Sequence, residues 1–412
     1  MRIVDVLCVP GNSGFYFDDQ KAIKEGIAHD GFFYTGKTMT EGFSSVRIAG
    51  EAVSIILLLD NGRFAIGDCT AVQYSGAGGR DPLFLAKNYI PVIQDTVAPL
   101  LIGKELSSFR KLAGMIDNLR VDGHRLHTAI RYGVSQALIQ AVSLAYGRIP
   151  VEQICYEYNL PIVLDPIPLF GQSGDDRYAA VDKMILKGVD VLPHGLINEV
   201  DTKLGRDGHL LKEYLRWINT RVSIMRSDYH PVIHIDVYGT IGMIFHHDLS
   251  KMTDYLAGLQ EDAGDLDLYV EGPVDMGEKH SQIEMLAKLT AALRAVGSPV
   301  KLVADEWCNT LEDIRDFTDS HACSMIQIKT PDLGSLHNTI ESVLYCKGHG
   351  MEAYQGGTCN ETDVSAKICV HAALATRPER MLIKPGMGFD EGLTIVKNEM
   401  ARTLAILRKR LG

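Results

Sequence analysis

The chain has 412 residues, which is enough for two or three ordinary domains or for one large barrel with an attached domain. Hydrophobic residues make up 46% of the sequence and charged residues 23%, a composition typical of a globular protein with a substantial core. The formal net charge of −11 gives no broad basic surface, so we expect no nucleic-acid partner.

No membrane-crossing or secreted form is expected from the sequence. The longest apolar stretch, 53–59, is far shorter than the roughly 18 residues that a spanning helix requires. Asp5 lies where a secretory leader would carry its apolar region. The eight cysteines contain no C-x-x-C pair and are spread along the chain, which favours reduced thiols. We therefore predict a cytoplasmic protein.

Residues 1–160 have the pattern of a small α+β domain. Alternating apolar residues predict strands, and Asp60-Asn61-Gly62 supplies the turn chemistry for a hairpin. Stretches with helical spacing follow. The predicted strands are 2–9, 52–59 and 63–67, and the predicted helices are 82–101, 106–118 and 126–146.

Residues 161–412 alternate short β-branched runs with helical stretches. Eight strand and helix units in about 250 residues predict a (β/α)8 barrel, so the fold class is α/β. A final amphipathic helix is expected at 393–411. The predicted strands are 162–170, 189–192, 232–237, 266–270, 300–304, 324–329, 351–354 and 381–384.

One motif is rejected on its context. Residues 31–38, GFFYTGKT, satisfy the P-loop pattern G-x-x-x-x-G-K-[ST]. A phosphate cradle needs an apolar strand immediately before the loop and a helix N-terminus immediately after it. The polar segment 18–30 precedes the motif here, so we expect no nucleotide site.

An acidic residue stands at the end of three consecutive predicted barrel strands. Asp236, Glu271 and Asp305 are 35 and 34 residues apart, and each step is one βα unit. Side chains alternate faces along a strand, and Ile233 and Ile235 suit the surrounding helices. The acids, and His234 beside the first of them, therefore point toward the barrel axis.

Three converging carboxylates repel one another unless they are protonated or neutralised by a cation. A set of oxygen ligands selects a hard ion, and three acids with room for water and substrate suit Mg²⁺. The sequence therefore predicts a magnesium site at the mouth of the barrel.

Lys329 ends the next strand and shares a face with Gln327, so its amine is aimed at the same centre. A nearby divalent cation and burial both disfavour the charged form of a lysine, which is what a base near neutral pH requires. An ordinary ion pair between Lys329 and one of the acids is the alternative.

Uncharged groups and one histidine end other predicted strands. His194 lies at the end of the second strand and offers a second proton-transfer group opposite Lys329. Gln172 follows the first strand, and Thr358 and Cys359 follow the seventh. These three side chains are candidate donors to a substrate carboxylate.

With these residues the chain resembles the enolase superfamily, whose members join an α+β capping domain to a modified (β/α)8 TIM barrel with an Asp/Glu/Asp magnesium site. Within it, the chain resembles the methylaspartate ammonia-lyase family over nearly its whole length. The motifs that carry this resemblance are GFYFDDQ at 14–20, VQYSGAGGRDP at 72–82, QSGDDR at 172–177, HIDVYGT at 234–240, DEWCN at 305–309 and GGTCNET at 356–362.

The resemblance implies specific roles. Asp236, Glu271 and Asp305 match the metal ligands of the family. Lys329 matches the base that removes the C3 proton of (2S,3S)-3-methylaspartate. His194 matches the group on the opposite face, which is linked to the other C3 epimer.

It also implies a binding set for a small amino diacid. Gln172, Thr358 and Cys359 match binders of the carboxylate beside the amine, and Gln327 and Gln73 match further substrate contacts. The segments 14–20 and 73–80 of the capping domain would close the pocket against water.

The activity that follows from the resemblance is a Mg²⁺-dependent, reversible elimination of ammonia that gives mesaconate through a metal-stabilised enediolate. The resemblance further implies a homodimer, activation by a monovalent cation such as K⁺, and a role in glutamate degradation.

Two departures leave alternatives open. The lysine pair that racemase-like members carry on the second barrel strand is absent, and Glu352 and Gln355 differ from the small or thiol residues of the family at those places. Another lyase or dehydratase of the superfamily acting on a different acid is one alternative. A barrel aldolase in which Lys329 forms a Schiff base is another.

Overall fold

The computed structural model describes residues 1–77 and 79–412; Gly78, which belongs to the segment 73–80 expected to close the pocket, lies outside the described residues. A three-stranded antiparallel sheet of order β1-β4-β5 forms the framework of the N-terminal part. Its strands and helices are β1 (Ile3–Asp18), α1 (Gln20–Lys24), β2 (Ala28–Asp30), β3 (Phe33–Thr35), β4 (Arg47–Leu59), β5 (Phe64–Cys69), α2 (Ala86–Val92), α3 (Ala98–Leu101), α4 (Phe109–Asp117), β6 (Arg120–Val121), β7 (His124–Arg125), α5 (Thr128–Ala145) and α6 (Pro150–Tyr158).

Two predictions for this part differ from the structure in extent. β1 continues well beyond residue 9, because its pairing with β4 shifts register between Asn12 and Tyr16 and then resumes. The predicted strand ended before this irregularity, although Pro10 and Gly11 still pair regularly with Val53 and Ala52. The helix predicted at 82–101 is divided into α2 and α3 by a π-helical turn, Ile93–Val97. The rejected P-loop motif supplies β3 and the turn before it, which agrees with the rejection.

Eight parallel strands form a closed barrel in the order β8 to β15, with β15 pairing back to β8, which confirms the predicted barrel. The elements of this part are β8 (Leu169–Phe170), α7 (Arg177–Lys187), β9 (Val191–His194), α8 (His209–Met225), β10 (Val232–Asp236), α9 (Thr240–Ile244), α10 (Leu249–Ala263), β11 (Leu268–Glu271), α11 (Lys279–Ala295), β12 (Lys301–Ala304), α12 (Leu311–Asp319), β13 (Met325–Ile328), α13 (Leu336–Gly348), β14 (Glu352–Gln355), α14 (Asp363–Thr376), β15 (Arg380–Leu382) and α15 (Phe389–Leu411).

The alternation of side chains along the barrel strands separates two apolar layers. Ile233 and Ile235 of β10 belong to the large core beneath the surrounding helices. Seven buried residues form a separate cluster inside the barrel: Phe170, Val191, Tyr269, Val303, Met325, Tyr354 and Leu382. The side chains of this inner cluster point toward the barrel axis. Side chains that point the same way from the carboxyl ends of the strands therefore lie at the barrel mouth.

The N-terminal sheet and helices are fixed to the barrel by polar contacts as well as by packing. Asp117 of α4 accepts hydrogen bonds from Arg131 of α5 at 2.7 Å and from Asn338 of α13 at 3.1 Å. Ser13 and the backbone of Phe15 in β1 donate to Asn360 in the loop after β14, at 2.7 and 3.1 Å. The second set of contacts holds β1 against the mouth of the barrel.

Among the described residues, no helix is long and apolar enough to cross a membrane. The eight cysteines are free thiols, and seven of them are buried.

Two helical glycines give a test of the packing between α5 and the sheet. A methyl group on Gly133 of α5 would meet the backbone of Cys69, and the carbonyl carbon of Asp68 at 2.7 Å. A methyl group on Gly114 of α4 would meet nothing within 4 Å. We expect Gly133→Ala to destabilise the protein by about 1–3 kcal/mol through overpacking. Gly114→Ala should stabilise it by about 0.5–1 kcal/mol, because alanine loses less conformational entropy in a helix.

The measurement is the shift in melting temperature of the two variants under identical conditions. Equal shifts in the same direction would contradict the close approach of α5 to β5.

Candidate active site

The three acids predicted as metal ligands converge at the mouth of the barrel. Asp236 and Glu271 are the last residues of β10 and β11 and are paired in register, and Asp305 follows β12 directly. One carboxylate oxygen from each lies within 4.8 Å of the other two. Their exposed fractions are 3%, 0% and 8%, so the three side chains share a site that is almost closed to bulk solvent.

Glu271 is held by a dense set of donors from inside the barrel. The Tyr354 hydroxyl lies 2.8 Å from each of its carboxylate oxygens, and the Gln327 amide nitrogen also donates to it. His234 Nε2 lies 2.7 Å from Oε2, while Arg380 approaches His234 Nδ1 at 3.4 Å. Burial lowers the pKa of His234 well below its usual value, so the neutral ring accepts from Arg380 and donates to Glu271.

The close approach of the acids changes their acidity. Burial, and then the repulsion from Glu271 and Asp305, raises the pKa of Asp236 well above its usual value. Burial and the charge of Asp305 raise the pKa of Glu271 to about 8. Both raised pKa values show that the charged carboxylate forms are disfavoured in the protein alone. A bound cation would neutralise the carboxylates and so favour their charged forms.

The donor set decides which cation fits. The cluster offers carboxylate oxygens, which are ligands for hard divalent ions, and no cysteine or histidine belongs to it within the described residues. The residues present therefore fit a hard divalent metal ion.

Two proton-transfer candidates lie on either side of the acids around the barrel. His194 ends β9, next to the strand of Asp236, and its Nε2 is 3.6 Å from Asp236 Oδ2. Lys329 follows β13, next to the strand of Asp305, and its Nζ is 2.7 Å from Asp305 Oδ1. The structure thus places the three acids, His194 and Lys329 next to one another. The Lys329 amine and the His194 imidazole lie at opposite ends of this group.

The ionisation of Lys329 in the protein alone differs from that expected with a bound cation. Burial alone lowers the pKa of Lys329, as expected, but Asp305, Glu306 and Asp332 outweigh it and raise the pKa above its usual value. With no cation on the three acids, the lysine is an ammonium ion paired with Asp305. The sequence-based expectation concerned the site with a bound divalent cation, and for that site it stays a prediction. The pKa of His194 is lowered to about 4, because its burial outweighs the attraction of Asp305, so the ring is neutral near pH 7.

A second ion-pair network beside Lys329 was missed by the sequence reasoning. Arg80, which comes from the capping domain, donates from Nε to Asp332 at 2.9 Å and approaches Glu306 at 3.6 Å. The positive charge of Arg80 opposes protonation of Lys329. The sequence did offer an indication of this network. Arg80 lies in the segment 73–80, which was expected to close the pocket, and Glu306 directly follows the metal-ligand candidate Asp305.

The candidate substrate contacts line the same mouth. Gln172 follows β8, Gln327 lies in β13, and Thr358 and Cys359 follow β14. The side-chain oxygens of Gln172 and Gln327 are buried and have no hydrogen-bond partner in the part of the chain that the structure describes. Such unsatisfied acceptors are costly unless a ligand or water completes them.

Gln73 is the one candidate contact that the capping domain contributes. Its Nε2 donates to Asp18 Oδ2 at 2.6 Å, and the Cys359 thiol lies 3.5 Å from its Oε1. Asp18 is itself held by two 2.7 Å bonds from Arg47. Because a carboxylate can only accept, this pair directs the Gln73 nitrogen away from Cys359 and its oxygen toward Cys359.

Comparison with known proteins identifies the family of the chain. The profile described as the methylaspartate ammonia-lyase N-terminus matches residues 1–159, and the profile of the C-terminus of the same enzyme matches residues 161–409. The chain belongs to the methylaspartate ammonia-lyase family. A methylaspartate ammonia-lyase from Citrobacter amalonaticus is 61% identical over the whole of both chains. One from Clostridium tetanomorphum is 53% identical, again over the whole of both chains.

Solved structures of this family of ammonia-lyases have the same fold. The Citrobacter amalonaticus enzyme containing (2S,3S)-3-methylaspartic acid superposes with a TM-score of 0.98 over 99% of this chain and 100% of that one. A Mg complex of the Clostridium tetanomorphum enzyme gives 0.96 over the whole of both chains. Muconate lactonizing enzyme from Pseudomonas fluorescens, at 18% identity and a TM-score of 0.61 over 90% of this chain and 84% of that one, shares the fold.

The raised pKa values of Asp236 and Glu271 predict how metal binding responds to pH. We expect Mg²⁺ affinity to increase as the pH rises from about 6 to 9, with release of protons, because Glu271 with a pKa of about 8 must lose its proton to bind. Without metal, the unfolding free energy should fall as the pH rises toward about 8 and level off above it, because below that pH folded Glu271 keeps a proton that the unfolded chain has already lost.

Calorimetric titration with Mg²⁺ in buffers of different ionisation enthalpy measures the affinity and the proton release, and denaturant unfolding of the metal-free protein across the same pH range measures the unfolding free energy. Glu271→Gln should weaken Mg²⁺ binding at least about 10-fold, since even residues behind a metal ligand contribute that much. Glu284→Gln, which removes an exposed acid paired with Lys288, is the control. Affinity independent of pH would contradict the raised pKa values.

Proposed function

We propose that the protein catalyses the reversible elimination of ammonia from (2S,3S)-3-methylaspartate to give mesaconate. The observation that carries the proposal is the buried trio Asp236, Glu271 and Asp305 with Lys329 at one end and His194 at the other, in a chain of this family. The related structures with (2S,3S)-3-methylaspartic acid and with Mg support the choice of substrate and metal.

Mg²⁺ would be held by Asp236, Glu271 and Asp305. When bound, it supplies positive charge that stabilises the negative charge developing on the substrate carboxyl group as the C3 proton leaves. The hydrogen bonds from Tyr354 and His234 orient Glu271 for this task, because they fix the direction of its two oxygens.

Lys329 is the base for the C3 proton of the (2S,3S) substrate. Its amine must be neutral to accept this proton. The charge of Asp305, which chiefly raises the pKa of Lys329, would be offset when Asp305 holds Mg²⁺, and the nearby guanidinium of Arg80 also favours the neutral form. Once protonated, the amine is stabilised by Asp305, Glu306 and Asp332, so the same surroundings keep the proton on the enzyme while ammonia departs. His194, neutral near pH 7, is placed to take the proton of the (2S,3R) epimer from the other side.

The remaining candidates bind the diacid. The Gln172 amide, the Thr358 hydroxyl and the Cys359 thiol are donors for the carboxylate beside the amine, because each of them can give a hydrogen atom to an anionic oxygen. Gln327 and Gln73 make further contacts. The Gln73 oxygen, directed toward Cys359 by Asp18, suits the substrate ammonium group, which can only donate.

We also propose that the protein is a homodimer, that K⁺ activates it, that it acts in the cytoplasm and that it serves glutamate degradation. The free cysteine thiols support a reducing compartment. Sedimentation analysis, and activity measured with K⁺ or with a bulky organic cation in its place, test the first two proposals.

The main experiment follows ammonia and mesaconate together with (2S,3S)-3-methylaspartate, Mg²⁺ and K⁺, or with excess chelator. We expect equal release of both products, which the chelator abolishes. Lys329→Ala should lower the rate by at least about 100-fold, the usual contribution of a general base. His194→Ala should lower the rate chiefly on the (2S,3R) epimer.

Intact protein that binds Mg²⁺ but releases neither product would overturn the assignment of substrate. A panel of amino and hydroxy diacids would then be the next assay. An equal loss of activity on both epimers in His194→Ala would overturn its assignment to one face of the substrate.

The orientation of the Gln73 amide gives a separate prediction. In Asp18→Asn the new amide can donate to the Gln73 oxygen, so the Gln73 amide should flip and direct its nitrogen toward the substrate. We expect the KM for ammonia in the amination direction to rise about 10-fold or more, while the KM for mesaconate changes little.

Asp182→Asn is the matched control, because Asp182 pairs with Arg221 through two bonds of 2.6 and 2.8 Å outside the barrel mouth. Equal increases in both KM values in Asp18→Asn would contradict a role of this pair in selecting the amine.

A further inference from the structure

A buried ion pair lies behind the candidate active site. Lys384 follows β15, and Glu361 lies in the loop that joins β14 to α14. Lys384 Nζ is 3.0 Å from Glu361 Oε2 and 3.1 Å from Oε1, and both side chains are 0% exposed. Nothing in the proposed chemistry uses either charge.

The three donors of Lys384 are all engaged by oxygen atoms of the protein. Besides Glu361, its Nζ donates to the carbonyl of Gly356 at 2.8 Å and to the hydroxyl of Thr330 at 3.0 Å. The Thr330 hydroxyl in turn donates to Glu361. With no donor left for substrate, Lys384 is a positioning residue rather than a catalytic one.

These contacts join two functional segments. Thr330 directly follows Lys329, the proposed base. Gly356 and Glu361 are the two ends of the loop 356–361, which contains Thr358 and Cys359. The ion pair therefore connects the residue beside the base to both ends of the carboxylate-binding loop.

The loop 356–361 packs directly against the Lys384–Glu361 ion pair. A methyl group on Gly357 would be 2.7 Å from both Cδ and Nζ of Lys384. The carbonyl of Glu361 accepts a hydrogen bond from Gly14 of the capping domain at 3.1 Å, and that of Cys359 accepts one from Gly386 at 2.8 Å. The backbone of the loop is thus held on one side by the ion pair and on the other by β1.

Burying two charges costs desolvation free energy. Replacing a buried ion pair by apolar residues of similar volume often leaves the stability of a protein unchanged or increases it. Burial alone lowers the pKa of Lys384, but Cys369 and Glu361 outweigh it and raise the pKa, so the amine stays charged. The Lys384 ammonium group can bond to Glu361, Thr330 and Gly356 together only when these three residues hold one relative arrangement. An apolar side chain would impose no such condition. The arrangement therefore favours geometric precision over stability.

We propose that the Lys384–Glu361 pair fixes the position of Lys329 relative to the loop 356–361, so that the base and the carboxylate-binding groups act on one substrate molecule together. The inference rests on the proposed function for the roles of Lys329, Thr358 and Cys359. A displacement of about 1 Å between reacting groups can cost 100-fold in rate, so a pair remote from the substrate can still govern catalysis.

The test uses Lys384→Met, Glu361→Gln and the double variant, in the full-length protein with Mg²⁺. The double variant leaves no unpaired charge, so it keeps the test valid if either single variant fails to fold. The matched control is the double variant Lys301→Met with Glu352→Gln, which removes an ion pair of 2.6 Å from the opposite end of the barrel.

We expect the double variant to fold and to bind Mg²⁺ as the wild type does, with kcat/KM for 3-methylaspartate lowered about 100-fold. The kinetic isotope effect with substrate deuterated at C3 should increase, because a misplaced base makes proton transfer more rate-limiting. Amide hydrogen exchange in 356–361 should become faster. The control should change none of these quantities.

Three results are distinguishable. Wild-type protein without lyase activity overturns the proposed function, and the exchange measurement then still tests the positioning role. Unchanged amide exchange in 356–361, or unchanged kinetics and isotope effect in an active double variant, overturns the positioning role. An equal loss of activity in the control also overturns it, because the effect would then be one of general stability.

Discussion

The repulsion between three buried carboxylates is the constraint on which the rest of the site depends. Asp236, Glu271 and Asp305 occupy equivalent places on neighbouring strands, so the barrel itself forces their oxygens together. The raised pKa values of Asp236 and Glu271 reflect the cost of this arrangement in the protein alone. A hard divalent cation relieves the repulsion, and a lysine ammonium placed beside Asp305 relieves part of it.

The groups around the acids are arranged in layers with different tasks. Inside the barrel, Tyr354, Gln327 and His234 donate to Glu271 and fix its orientation. Behind the mouth, the Lys384–Glu361 pair joins the residue after the base to the loop after β14. In the second layer all the donors of Lys384 are engaged, and such a satisfied network specifies one geometry because a partly satisfied alternative is costly. In the first layer the Gln327 side-chain oxygen has no partner among the described residues.

The N-terminal part of the chain contributes side chains to the site. Arg80 reaches the acids beside Lys329, and Gln73, held by Asp18, reaches Cys359. Residues 14 and 15 of β1 bond to the loop after β14. The polar groups at the mouth of the barrel therefore come from two parts of the chain.

The sequence by itself determined the barrel, the inward direction of Asp236, Glu271, Asp305 and Lys329, and the rejection of the nucleotide motif, because side-chain parity and strand spacing are local properties of the chain. Only the tertiary structure decided the continuation of β1 past residue 9 and the contact of Lys329 with Asp305. It alone also showed the contacts of Arg80 and the pairing of Lys384 with Glu361. These features depend on groups that are distant in sequence, and pKa values and ion pairs follow from the distances between such groups.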